Sequence, residues 1–206
     1  MIRRLFILNF FLHAYFACGQ APFSHHTPQN IYAESRELYD RAMYSTAAEG
    51  FQNVISKVDS ETDLAEQSSF FYVLCGIKLM NRDAGDQVLK FLNEYPTSAR
   101  RKELILGMSE YSFNRRRYRD AKIWLNRLNG MYLPKKEKAE LQFKLGYSLF
   151  MLKDFENARA QFSAAKSSDF NISSSAQYYY GHIAYLDTND VTALENLEPL
   201  IDHPSF

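Results

Sequence analysis

The chain has 206 residues, balances 24 Lys and Arg against 24 Asp and Glu, and is 46% hydrophobic. That length suffices for one domain or one repeat array with a real core, and zero net charge removes the overall electrostatic support that nucleic-acid binding needs. The outlier is aromatic content: 14 Tyr, 16 Phe and one Trp place many rings near the surface, where Tyr suits a contact face.

In chain order, Arg3 and Arg4 form a short basic region and Leu5 to Phe16 is mostly apolar, diluted by Asn9 and His13. That stretch is too short to span a bilayer comfortably. Ala17-Cys18-Gly19 then supplies small residues, so residues 1–19 read as a signal peptide cleaved before Gln20. The alternatives are an uncleaved anchor and lipidation of Cys18. Ala17-Cys18 resembles the last two places of a bacterial lipoprotein box, with Tyr15 where that box has Leu. Cleavage before Gln20 would leave Cys75 as the sole cysteine, and a single cysteine makes no internal disulfide. Residues 20–30 hold two prolines and the pair His25-His26; they read as a flexible leader, and the histidines lack matching ligands for a metal.

From residue 31 to 206 the pattern is helical, with no alternating run that would make a strand. Ala47, Ala84, Ala121 and Ala158 fall thirty-seven residues apart, and Ala193 follows after thirty-five. Four residues past each stands an apolar side chain: Phe51, Val88, Leu125, Phe162 and Leu197. Tyr44, Tyr118 and Phe155 precede three of the alanines. A fixed period of this size marks a solenoid whose units pack on their neighbours. The units run about 28–64, 65–101, 102–138, 139–173 and 174–206. The fourth is the clearest: Leu145-Gly146 and Leu149 share one helix face, Lys153-Asp154 turns the chain, and Ala158, Phe162 and Ala165 recur on a second helix. Small residues at the crossing let two antiparallel helices approach closely. Pro96, Pro134 and Pro204 break the chain between units, and Pro199 should weaken the fifth second helix.

At these residues the chain resembles the tetratricopeptide repeat family, whose pattern is a Leu-Gly pair followed by Ala-x3-Phe on the next helix. Leu145-Gly146 and Ala158 to Phe162 match it, as do Gly181, Ala193 and Leu197. The second unit departs most, with Tyr72 in place of Gly, and the family's Trp is absent because Trp124 lies on a second helix. The resemblance implies an all-α, right-handed superhelical solenoid of about five antiparallel helix pairs, with the first helices lining a concave groove. Carried over unit by unit, that groove takes Tyr32, Arg36 and Tyr39, then Leu106, Glu110 and Phe113, then Phe143, Tyr147 and Phe150, and finally Tyr178, His182 and Tyr185. Its later half is a rigid aromatic surface suited to a protein or peptide segment. The bland alternative is that these rings pack between helices. Glu94-Tyr95-Pro96-Thr97-Ser98 resembles linkers of bacterial envelope members, which implies a scaffold in the periplasm or at the outer membrane.

Other features are weaker. Arg115-Arg116-Arg117 with Arg119 fits a phosphate or acidic peptide, or a solvated turn; Lys135, Lys136 and Lys138 read alike. Cys75 reads as a small core residue. No phosphate-cradling glycine loop, H-E-x-x-H, C-x-x-C or G-x-S-x-G is present, so no catalytic residue, cofactor or metal site is assigned and an enzyme is not expected. The readings that follow are a non-enzymatic interaction scaffold, a structural spacer or self-association segment of a longer array, or a substrate-recruiting module for an enzyme elsewhere. Membrane association would follow only from Cys18 lipidation or an uncleaved signal. The apolar face of Leu194, Leu197 and Ile201 suggests that the array continues or that a partner covers it.

Overall fold

A computed structural model describes residues 27–168 and 171–201. The signal peptide, Cys18, His25-His26 and Pro204 lie outside the described residues. Among the described residues ten α-helices follow one another in five pairs: α1 (Pro28–Asp40) with α2 (Tyr44–Ile55), α3 (Asp63–Lys78) with α4 (Ala84–Glu94), α5 (Arg101–Asn114) with α6 (Tyr118–Asn126), α7 (Lys135–Met151) with α8 (Phe155–Lys166), and α9 (Ile172–Leu186) with α10 (Asp190–Leu197). There is no strand, and no helix is long and apolar enough to cross a membrane, among the described residues.

Residues 28–30, expected to belong to a flexible leader, are instead the first turn of α1. Thr27 caps it, accepting the Asn30 N–H at 3.3 Å, and Pro28 sits in the first turn, where its missing N–H costs nothing. At the other end Pro199 ends α10 as expected, and the chain tightens into a 3₁₀ turn over Glu198–Leu200.

One device closes every first helix. Ala42, Met80, Arg116, Lys153 and Thr188 take left-handed backbone angles with φ between 57 and 63°. The next residue donates its N–H back to the carbonyl five positions earlier: Met43 to Leu38, Asn81 to Gly76, Arg117 to Ser112, Asp154 to Leu149 and Asn189 to Ala184, each at 2.9 Å. This is the Schellman cap, which satisfies the orphan carbonyls of a helix end and reverses the chain. Glycine usually fills its left-handed position; here five side-chain-bearing residues do, at some steric expense.

Within a pair, the contact that sets the spacing lies sixteen residues along rather than twelve. A Cβ on Gly146 would stand 3.0 Å from two ring carbons of Phe162, and one on Gly181 2.9 Å from Leu197. In the first and third units Ser35 and Ser109 hold the glycine's place, buried, with their hydroxyls donating to Ile31 and Leu106 carbonyls of their own helices at 2.7 and 2.8 Å. Ala47, Ala84, Ala121, Ala158 and Ala193 are all buried, as are Phe51, Val88, Leu125 and Phe162. A continuous apolar core runs from Phe70 to Ile183, with Phe51, Ala47 and Cys75 forming a smaller cluster under the first pair.

Neighbouring units are joined by bonds between side chains thirty-four or thirty-five residues apart. Tyr32 donates to Gln67 at 2.9 Å, Arg100 meets Glu66 at 3.0 Å, Lys102 meets Glu137 at 3.5 Å, and Lys144 meets Glu110 at 2.7 Å. Each such exposed pair is individually weak. Their common spacing nevertheless holds successive first helices side by side in one register.

Candidate functional site

The first helices α5, α7 and α9 together line an open groove of about 620 Å³ walled by Phe113, Lys136, Glu140, Phe143, Lys144 and Ile172. Helical periodicity puts Lys136, Glu140, Phe143, Lys144, Tyr147 and Phe150 along one side of α7. Of the expected site residues only Phe113 and Phe143 wall this groove; Tyr178, His182 and Tyr185 lie about a turn apart further along α9, outside its lining.

The expected aromatic residues fall into two groups. Phe113, Phe143, Tyr147 and Phe150 are half-buried and pack as a lattice of rings. Phe113 meets Tyr147 edge-on at 5.6 Å, Phe143 lies 6.2 Å from Tyr147, and Phe150 lies 5.6 Å from the His182 ring. For these side chains, packing between helices accounts for much of the ring surface. Tyr178 is 38% exposed and lies nearly parallel to the half-buried His182 ring at 6.1 Å, while Tyr185 stands further along at 62% exposure. Tyr178 and Tyr185 are the exposed members of the expected aromatic set, with the half-buried His182 ring between them in sequence.

The lattice is centred on a residue that the sequence reading passed over. Tyr179 touches Phe143, Tyr147, Phe150 and Tyr178 at 5.2–6.1 Å and stacks on Phe162 at 5.3 Å with 16° between planes. A signal for it existed. Tyr179 is thirty-five residues past Lys144, the residue that reaches back from α7 to Glu110 on α5. The same lateral position on α9 carries a ring instead of an ammonium and reaches back to α7. Tyr118, at the start of α6, joins from below, 5.7 Å from Tyr147.

Two phenols, Tyr118 and Tyr179, thus converge on that of Tyr147. Burial pushes the Tyr179 hydroxyl up to about 12, helped by the adjacent Tyr147 hydroxyl and a hydrogen bond with it. Burial, with the same neighbour, raises Tyr118. Both stay neutral at physiological pH, so the surface presents ring faces and uncharged hydroxyls flanked by Lys136 and Glu140. Such a surface binds apolar and aromatic side chains with a few directed hydrogen bonds.

At the opposite end of the array Tyr32, Tyr39, Phe51 and Phe71 make a second ring cluster. The Arg36 guanidinium lies over the Phe71 ring at 3.8 Å and also pairs with Asp40 at 3.4 Å. Arg36 is therefore already engaged within the fold. Leu106 and Glu110 sit on α5 between the two clusters, with Glu110 held by Lys144. The Arg115-Arg116-Arg117 run occupies the turn between α5 and α6, where Arg117 pairs with Asp120 at 2.6 Å and Arg115 donates to the Met80 sulfur. Cys75 is buried and free, and burial raises its thiol to about 12, which makes it a packing residue.

No protein-family model matches the chain, and no curated protein matches it. Solved structures do match. The chain is similar to MamA AMB-1 at 14% identity and a TM-score of 0.64, over 86% of this chain and 92% of that one. It is similar to a MamA RS-1 double mutant at 12% identity and 0.63, over 85% and 93%. It is also similar to a Podosopora anserina putative kinesin light chain with nearly identical TPR-like repeats, at 11% identity and 0.57, over 85% and 95%. At such identities the likeness concerns the fold, and the fold is a TPR-like all-helical solenoid.

Proposed function

We propose that this chain is a non-enzymatic scaffold that holds a segment of a partner protein along its first helices. The observation that carries the reading is the exposure of Tyr178 and Tyr185 beside the His182 ring, against a ring lattice immobilised by its own packing. A contact surface whose supports are already fixed loses little side-chain entropy when it binds. Tyr and His at its edge supply hydroxyl and imidazole partners for a peptide backbone. A solenoid adds to this because stacked units present one extended face rather than an enclosed reaction pocket.

The amino-terminal segment supports export, to the periplasm or to the outer membrane, and Cys18 supports a lipid anchor as the alternative fate of the same segment. Intact-mass analysis of the exported chain separates these: a mature chain starting at Gln20 supports simple cleavage, and release from membranes by Cys18→Ser supports lipidation.

The groove is tested by affinity capture with the intact chain and with a Tyr178→Ala/His182→Ala/Tyr185→Ala variant, with bound proteins identified by mass spectrometry. These three positions avoid Tyr147 and Tyr179, whose loss would disturb packing. A partner retained by the parent and lost with the variant, at unchanged helical content, is the expected result; equal capture by both rejects the groove.

A further inference from the structure

The junction between the second and third units differs from the two that follow it. Counting from the repeat alanines, the residue after each is Ala48, Gly85, Lys122 and Arg159. Lys122 and Arg159 reach into the turn of the next unit, where they pair with Asp154 and Asp187. Gly85 has no side chain to reach with. The turn position that holds Asp154 in the fourth unit holds Arg117 in the third, each just after the left-handed residue. At the first junction the corresponding residues, Ala48 and Asn81, are both uncharged. Between the second and third units, then, a guanidinium stands where the fourth unit has a carboxylate, beside an open space that Gly85 and Arg117 both line.

That space is a pocket of about 370 Å³ between α4 and α6, over the last turns of α5. Its two ends differ. Arg82, Gly85 and Asp86, at the start of α4, line one end together with Ser112, Arg117 and Asp120. Towards the other end Leu89, Met108, Ile123 and Trp124 give it apolar walls. There Arg127 stands on the rim, its guanidinium over the Trp124 ring at 5.3 Å.

The first end is suited to an anion. Ser112 is fully buried, and its hydroxyl has no hydrogen-bond partner among the described residues. An unmatched buried hydroxyl is unfavourable, so a ligand oxygen that accepts from it is favoured. The first turn of α4 has no side-chain cap, so its amides present the partial positive charge of a helix start. Gly85 lies in that turn and lets a ligand come close to the backbone. A Cβ on it would meet only the Met108 methyl at 3.7 Å and Trp124 at 3.8 Å, so a longer side chain would run into the pocket. Arg82 makes no ion pair among the described residues, and Arg117 pairs only with Asp120, at 2.6 Å, which leaves it donors to spare. Asp83 accepts from Gln87 at 3.2 Å, so Asp86 is the one unpaired acid on the lining among the described residues. Arg115, Arg116 and Arg119, in and just after the same turn as Arg117, keep the local field positive.

We infer that this pocket binds a small organic anion, with its phosphate or carboxylate held by Arg82, Arg117 and the Ser112 hydroxyl and its apolar body against Leu89, Ile123 and Trp124. Planar guanidinium groups match either head through paired N–H donors. The pocket shares no lining residue with the groove of the first helices, so it stands or falls independently of the scaffold role.

Trp124 is the only tryptophan of the chain, so its fluorescence reports on this pocket directly. The test titrates the intact chain with phenyl phosphate, inorganic phosphate and benzyl alcohol. Phenyl phosphate should shift the emission saturably and bind at least about tenfold more tightly than the other two, which supply only the head or only the body. Arg82→Ala should weaken it about tenfold and Ser112→Ala several-fold. Asp86→Asn should tighten it, and Gly85→Leu should block it by filling the pocket. Tyr178→Ala with Tyr185→Ala should leave it unchanged. Arg82 and Asp86 are exposed, so their replacement keeps the helical spectrum even if Gly85→Leu does not. The absence of a saturable shift overturns the proposal. So does equal binding of inorganic phosphate or benzyl alcohol, or binding of phenyl phosphate that survives both Arg82→Ala and Gly85→Leu.

Discussion

Gly146 in the fourth unit and Tyr72 in the second hold the same place in the repeat, and the two helix pairs pack differently. At Gly146 the rings and chains of α8 come so close that an added Cβ would crowd Phe162 and Gln161. Around Tyr72, α3 and α4 touch over a much shorter stretch. Asn81 stands where other units place Tyr44, Tyr118 or Phe155 at the head of the second helix, and α4 starts only at Ala84. The turn before it is five residues long (79–83), against three in the fourth unit (152–154). At the end of the pair away from that turn an open cleft of about 780 Å³ lies between α3 and α4, lined by Tyr72, Val73 and Phe91 and reaching Gln52 on α2. One small residue at the crossing therefore decides how closely a pair can close, because backbone approach is limited by the bulkiest atom between the helices.

The largest test of this contrast is truncation of the residue that fills each crossing. Phe162→Ala should cost about 3–5 kcal/mol, since the fully buried ring fills the close crossing and its loss leaves a cavity. Val88→Ala removes far fewer atoms and should cost clearly less. Equal shifts in denaturation midpoint for the two would break the comparison.

Glycine-to-alanine changes sharpen it. Gly146→Ala should destabilise by about 1–3 kcal/mol, because the wedged Phe162 ring has nowhere to go. Gly76, also inside a first helix, faces only the Asn81 side chain at an ordinary 3.7 Å. Gly76→Ala should therefore stabilise by about 0.5–1 kcal/mol through backbone entropy. Opposite signs in thermal denaturation are the expected outcome.

The turns offer a smaller effect. Thr188 is β-branched yet sits at φ 57°, where Cβ crowds the backbone. Thr188→Gly should raise stability by about 1 kcal/mol while leaving the Schellman bond from Asn189 intact, as read by chemical denaturation.

Alkaline pH separates the two regions last. The Cys75 thiol on α3 is raised from 9.0 to about 12, and the Tyr179 phenol from 10.0 to about 12, in both cases chiefly by burial. Above its ordinary value each group ionises in the unfolded chain while remaining protonated in the folded one. The unfolded state then binds fewer protons, so stability is fully present below pH 9 and falls as pH rises toward 12. Cys75→Ala should remove the earlier part of the decline, and denaturation midpoints between pH 8 and 11 would show it.

Much of the fold is legible in the sequence. The alanine period placed the buried crossings, the Lys153-Asp154 turn is where α7 ends, and Pro199 breaks α10. The reading went astray where side chains report on neighbours that are distant in sequence. Residues 28–30 look like leader until the Thr27 cap makes Pro28 a helix start. Tyr178, Tyr179 and Tyr180 are indistinguishable as a run. Only the lateral register with α7 makes Tyr179 the half-buried centre of the lattice and leaves Tyr178 exposed.

The sequence alone determined the architecture, because a solenoid is built from local helix pairs whose spacing recurs along the chain and whose contacts stay within neighbouring units. It also determined which pair would depart from the others, through Tyr72. Tertiary structure decided which aromatic rings support the groove and which face outward. It also revealed the common left-handed caps and placed Leu197 against Gly181 rather than on the open face expected for it, for a physical reason: burial depends on what the adjacent unit presents, and identical rings at adjacent positions, Tyr178 and Tyr179, can meet water on one side and a packed helix on the other.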